Sequence, residues 1–170
     1  MRAHFLTFAE YNRWANRRLY DAAGQLTEAQ YREPRGAFFG SLHGTLNHIL
    51  VGDRIWLYRL TGLGPLPTRL NEILFEDLAS LRQAREAEDG RIVTVVEGLA
   101  DSDWERVLRY KNTSGQEQAT ILREVLAHFF NHQTHHRGQA HTILTSLGQK
   151  SVELDLIYFL RTRARAAPRV

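Results

Sequence analysis

The chain has no cysteine. That excludes a disulfide framework, a thiolate metal site and a cysteine nucleophile, so any metal must be held by nitrogen and oxygen ligands. Methionine occurs once and proline four times, and no run of about 18 apolar residues appears anywhere, so no membrane span is expected. The opening "MRAHFLTFAEYNRW" lacks an uninterrupted apolar stretch before a small-residue cleavage site and does not read as a signal peptide. A cytoplasmic location is the expectation. Net charge is only +3, with much of the basic excess in the closing "RTRARAAPRV". A nucleic-acid binder more often carries a basic stripe interleaved with aromatics, so that tail reads as a solvated, frayed terminus and no nucleic-acid partner is expected.

What is present fits an ordinary globular protein: 170 residues, 43% hydrophobic and 24% charged. This is most simply one domain over residues 1–170. Apolar residues at three- and four-residue spacing predict a helix from Phe5 to Ala23, stopped by Gly24. A second helix is expected from Ser41, a plausible cap, to Leu60, before the turn-rich "TGLGPLP". A third runs from Leu74 to Leu99, with an interruption possible at Gly90. A fourth spans Thr120 to Leu147 and closes at Gly148. The stretch "VLRYKNTSGQEQATI" alternates around "NTSG" and predicts a small hairpin before the last long helix. "LTEAQ" suits one helical turn, and Leu154 to Arg161 a short closing helix. Four long helices with longer crossings define the expected fold class: all-α, a four-helix bundle with short extra helices and at least one non-hairpin connection.

The histidines are the outstanding feature. Five of the eight fall between positions 128 and 141. On a wheel of about 100° per residue with His128 at zero, the apolar stripe of the fourth helix falls at roughly 60–160°. His136 lies at about 80°, inside the stripe, and His132 at about 40°, at its edge. His128 is at the border, whereas His135 and His141 lie outside and read as solvated. Periodicity therefore nominates His132 and His136 as the inward pair. Imidazoles at i and i+4 can share a cation, although the same spacing also occurs in packed cores. The spacing matches the zinc-protease motif H-E-x-x-H, but Gln133 stands where that motif needs a glutamate base.

A third ligand must come from another helix, and His4, His43 and His48 are the candidates. His48 has Gly44 one turn before it and Gly52 one turn after it, small neighbours that leave room for a ligand or cavity. His43 lies near the helix start and His4 near a terminus that frays.

At these residues the sequence resembles the DinB/YfiT-like family, a group associated with metal-dependent enzymes. "YNRWANRRL" (Tyr11–Leu19), "LNHILVGDRIW" (Leu46–Trp56) and "NHQTHHRGQ" (Asn131–Gln139) are similar to its helix motifs, in register over most of the chain. The resemblance implies an up-down-down-up four-helix bundle, frequent homodimerisation and a metal held by His48, His132 and His136. It also implies activities among relatives that include thiol transfer using bacillithiol, mycothiol or glutathione, and hydrolysis.

Three imidazoles leave a divalent cation with open positions, as in catalytic rather than structural sites. Zn2+ and Ni2+ suit imidazole best, with Fe2+ and Mn2+ as further candidates. Such an ion lowers the pKa of bound water to about 7 or holds an incoming thiol as thiolate. With no cysteine in the chain, that thiol has to come from a small-molecule substrate. Asp53 is the candidate for supporting an imidazole through its other ring nitrogen. It stands about 140° from His48, which excludes it as a ligand to the same ion, and a buried ion pair with Arg13 or Arg17 is the rival reading. Asn12 and Asn16 read as bridges between helices and Arg137 as a partner for a carboxylate. Gln139 is placed to touch a substrate and His128 to line the pocket mouth. The expected function is thus small-thiol transfer to an electrophile or a related hydrolysis. The alternative is a non-catalytic metal-dependent binding or stress-response protein. A haem or nucleic-acid role is a third class, tested by Soret absorption or DNA binding.

Overall fold

The computed structural model describes residues 1–166. Its elements are α1 (Arg2–Ala23), α2 (Glu28–Arg32), α3 (Leu42–Thr61), α4 (Leu78–Gly98), a 3₁₀ turn (Asp101–Glu105), β1 (Val107–Lys111), β2 (Glu117–Ile121), α5 (Leu122–Ser146) and α6 (Leu156–Ala166). Caps fix three of the helix starts. The Ser41 side chain accepts from Gly44 N, the Asp77 side chain from Ser80 N, and Thr27 forms a capping box with Gln30 in the "LTEAQ" turn. No helix among the described residues is long and apolar enough to cross a membrane.

α1, α3, α4 and α5 form the bundle. α1 packs against α4 and α5, and α3 against the same two. Paired contacts give the directions. On α1 and α4, Asp21 meets Arg82 while Arg2 reaches Leu99 O, so these helices are antiparallel. On α3 and α5, His48 meets His136 and Trp56 meets His128, again antiparallel. α3 and α4 run parallel, with Asp53 at Arg85 and Arg54 at Glu88. The order is therefore up-down-down-up. The hairpin pairs Val107 with Ile121 and Lys111 with Glu117 on the crossing from α4 to α5. α6 lies against α1, where Phe159 packs on Tyr11 and Trp14.

The core has three tiers. One apolar end gathers Leu19, Leu42, Leu46, Leu81, Ile143 and Leu144. The other gathers Phe5, Leu57, Ile92, Val96, Leu126 and Phe129. Between them lies a buried polar layer of Asn12, Asn16, Asp53, Arg85, Asp89, Gln133 and Arg137. Arg85 pairs with Asp53 and, at 3.1 Å, with Asp89, and Asn12 and Asn16 both donate to Asp89 Oδ1. One guanidinium thus pairs with both carboxylates while amides satisfy part of Asp89, the kind of pairing under which buried charge is tolerated. Burial pushes both carboxyls above the usual carboxylate range, and the Arg85 charge opposes that shift.

Several boundaries differ from those the sequence predicts. α1 begins at Arg2 rather than Phe5. α4 begins at Leu78 rather than Leu74, because Asn47 Oδ1 captures the backbone N–H groups of Leu74 and Phe75 at 2.8 and 3.0 Å and Asp77 then caps the helix. It passes Gly90 unbroken. Thr120 and Ile121 belong to β2, so α5 starts at Leu122, and Gly148 closes it with φ 82°. α6 starts at Leu156 because Leu154 O accepts the Tyr11 hydroxyl, which keeps that segment extended. Residues 161–166 of the basic tail are helical rather than frayed. Arg163 pairs with Glu10 at 3.4 Å. Residues 167–170 of that tail lie outside the described residues.

Candidate metal centre

The three histidines meet on the α3–α5 seam, level with the polar layer. His136 and His48 are buried and His132 is half-buried. Ring centroids are 4.4 Å apart for His48–His136 and His132–His136, and 5.3 Å for His48–His132. One ligand nitrogen from each ring lies within 4.8 Å of the other two. The small neighbours of His48 explain the approach. A Cβ added at Gly52 would stand 2.8 Å from His132 Cε1, so the missing side chain is the space that the ring occupies. At Gly44 the same space is taken by the Phe39 carbonyl. That contact seats the Phe39 ring on His48 with centroids 3.6 Å apart and planes 16° apart.

Hydrogen bonds fix two of the rings. His48 Nδ1 donates to Leu70 O at 2.7 Å, and His136 Nδ1 donates to Gln139 Oε1 at 2.8 Å. A carbonyl oxygen can only accept, so each Nδ1 carries its ring's proton and each Nε2 keeps a lone pair. The two Nε2 atoms face each other at 3.1 Å. Two lone pairs at that separation repel, and a cation between them removes the repulsion. Burial also keeps the rings neutral: it pushes His48 down to about 4 and His132 down to about 3, with neighbouring imidazoles adding to the shift. His136 is lowered as well, chiefly by burial. Neutral, unprotonated imidazole is the form that ligates a metal. The donor set therefore fits a divalent ion that binds nitrogen.

The other sequence candidates are distributed differently. Asp53 holds no imidazole. It faces Arg85 of α4, not Arg13 or Arg17, because its position on α3 turns it into the central layer. The groups that do hold imidazoles are the Leu70 carbonyl and Gln139. Gln139 was a candidate for touching substrate, but it supports His136, and its Nε2 reaches His135 at 3.2 Å. Arg137 meets the amides of Asn12 and Gln133 and the face of Tyr11 rather than forming an ion pair. Asn12 and Asn16 bridge α1 to α4 as expected. His128 is exposed, with its centroid 5.9 Å from His132 and its ring against Trp56. His135 is exposed, and His141 is half-buried, 3.1 Å from Ser151 Oγ. His43 is buried after all, 3.1 Å from Phe75 O and edge-on to Tyr31, while His4 is exposed. Sequence reasoning missed Leu70 and Phe39. Leu70 acts through its backbone, which no side-chain pattern reveals. Phe39 sits in a loop with no period to read.

The class is now defined: a four-helix bundle whose central seam carries three histidines that could hold a metal ion. The chain belongs to the DinB family, whose sequence profile matches residues 1–168. It is similar to Protein DinB of Bacillus subtilis (strain 168), with 24% identity over 172 residues, covering 93% of this chain and 95% of that protein. Its fold is also that of a crystal structure of a DinB-like protein from Bacillus cereus, at a TM-score of 0.68 and 17% identity, covering 87% of this chain and 93% of that one.

Proposed function

We propose that this chain is a metal-dependent enzyme that transfers a small thiol to an electrophile, or carries out a related hydrolysis. His48 and His136 would ligate through Nε2 and His132 would complete the set. The ion would be zinc or nickel, with iron and manganese as further candidates. The observation that carries this reading is the pair of Nε2 lone pairs 3.1 Å apart, with both Nδ1 protons committed elsewhere. Three protein ligands, rather than four, match catalytic sites that keep a position for substrate.

When bound, such an ion supplies positive charge that lowers the pKa of a coordinated thiol or water. In the transfer, a sulfur–carbon bond forms to the electrophile, its leaving group departs with the bonding pair, and the thiol proton must be removed. His128 suits that last task. Its ring lies near His132 and reaches solvent, while its packed side, against Trp56, and then the Arg59 charge hold it below the ordinary histidine range, so it is neutral at pH 7 and can pass a proton to solvent. Phe39 shields one face of His48 and restricts water there. The substrate would be a low-molecular-weight thiol in the cytoplasm, and the protein would act as a homodimer.

The test is elemental analysis of protein purified without a histidine tag, followed by a screen of a small thiol with a generic electrophile, with and without chelator. Near-stoichiometric metal and chelator-sensitive turnover are expected. Metal without turnover across the screen would favour a binding or stress-response role instead. Absence of metal after loading with excess zinc or nickel would end the reading.

A further inference from the structure

The α3–hairpin junction holds a cation with no acidic partner among the described residues. Arg59 of α3 lies against two aromatic rings, its guanidinium carbon 4.6 Å from the Trp56 centroid and 4.9 Å from the Tyr110 centroid. One of its N–H groups donates to Lys111 O at 2.9 Å. The two rings stand together, 5.2 Å apart, so they crowd the guanidinium from one side, and the N–H groups that Lys111 O does not engage form the fork that matches two oxygens of an acid. Among the described residues, no carboxylate lies within ion-pairing distance of Arg59 or Arg109, whereas Arg54, Arg85, Arg91 and Lys111 have acidic partners.

This junction borders a cleft of about 620 Å3 lined by Tyr58, Arg59, Thr68, Arg109, Tyr110 and Lys111. Lys111 is 3.5 Å from Glu117, and both are exposed. The cleft therefore presents three cationic side chains and one acid at its rim. It is tied to the histidine seam through Trp56, whose ring meets Tyr110 at 5.2 Å and His128 at 5.2 Å, with His128 5.9 Å from His132. A small molecule reacting at the seam could lay its far end here.

We propose that this cleft is the subsite for the anionic end of the substrate, with Arg59 as the specificity-determining residue and a carboxylate or phosphate group as its ligand. The acidic group binds in the plane of the Arg59 fork, with Arg109 and Lys111 adding long-range attraction. The substrates of the enzyme are then acidic small molecules, and neutral analogues lacking that group bind poorly. The proposal rests on the catalytic reading above, but its test does not.

Metal-free protein is titrated with glutarate and, separately, with inorganic phosphate, while the arginine Nε–H resonances are followed by NMR. The Arg59 resonance, assigned by its disappearance in Arg59→Met, should shift on titration. Which anion binds more tightly identifies the group. Arg59→Met should weaken binding by about tenfold or more, as expected for loss of a charge-assisted pair, and Arg59→Lys should restore part of it. Zinc content of the loaded Arg59→Met protein should match wild type, which shows that the fold and the histidine seam are intact. Unchanged anion affinity in Arg59→Met would overturn the proposal. So would binding that appears only after metal loading, since the anion would then be ligating the ion. If the anion binds at Arg59 but no thiol turnover is found, the subsite stands and the catalytic reading falls.

Discussion

The His132 ring lies over Gly52, in the space that a Cβ at that position would fill at 2.8 Å from Cε1. Among the described residues, His132 has no hydrogen-bonding partner to hold its ring, so this contact and the neighbouring imidazoles set its orientation. Gly52→Ala should therefore displace one ligand of the three. Metal affinity is expected to fall by about 10-fold or more, in the range seen when groups around a metal site are altered. Alanine also favours a helix over glycine by about 1 kcal/mol, so the metal-free protein should lose little stability. Competition with a chromophoric chelator, alongside urea unfolding of the metal-free protein, separates the two effects.

His136→Ala should reduce bound metal to near background, because it removes the ring whose Nε2 faces that of His48 at 3.1 Å. His135→Ala should leave metal content intact, since His135 lies on the exposed face, edge-on to His136 at 4.8 Å and near the Gln139 amide nitrogen, and is not one of the three converging rings. Inductively coupled plasma mass spectrometry on both variants decides this. Equal loss in the two would mean that Gln139, reached by both rings, is the controlling element.

The polar layer predicts non-additive stability. Arg85→Gln strands two buried carboxylates, so it should cost about 3–5 kcal/mol, the usual result of removing one partner of a buried pair. The stranded groups would then hold protons more tightly. A carboxyl whose folded pKa is raised loses stability as pH rises, so the variant should be weaker at pH 8 than at pH 6. Adding Asp53→Asn to Arg85→Gln should recover part of the loss. Urea unfolding of the two variants at both pH values measures it, and a double variant as unstable as the sum of its parts would contradict the pairing.

Metal-free protein should also lose stability as pH falls below the ordinary histidine range. The folded pKa of His48 is pushed down to about 4 and that of His132 to about 3, from an ordinary value near 6.5. Between those limits the unfolded chain takes up protons that the folded chain refuses, so the slope of stability against pH is positive. The contribution is complete above about 6.5 and is lost as pH drops toward 4. His132→Asn should flatten that slope. Urea midpoints from pH 7.5 to 5 provide the measurement, and a wild-type midpoint that does not move would contradict the burial of these rings.

Much of the bundle was legible because periodicity and caps act locally. Ser41, Gly148 and the α5 stripe mark their elements in the sequence, and the i, i+4 spacing nominated His132 and His136 directly. α3 is apolar almost all round, so its phase could not be read, and His48 was reached through its small neighbours instead. Those neighbours mattered for a reason the sequence does not state: they admit the His132 ring and the Phe39 backbone. Long-range partnerships were the unreadable part. Asp53 finds Arg85 32 residues away, and Asn47 takes the backbone N–H groups that would have begun α4 four residues earlier. Nothing local specifies either choice.

The tiered interior has one further consequence. Leucine against leucine tolerates a slide of one helical turn, because greasy surfaces look alike wherever they meet. Charges do not permit this: moving α4 along its neighbours by one turn would strand Arg85 among aliphatic side chains and leave Asp53 facing nothing. The central ionic band thus works as a ruler for axial alignment. By holding the rods at fixed heights, it helps keep a histidine on one helix level with two on another.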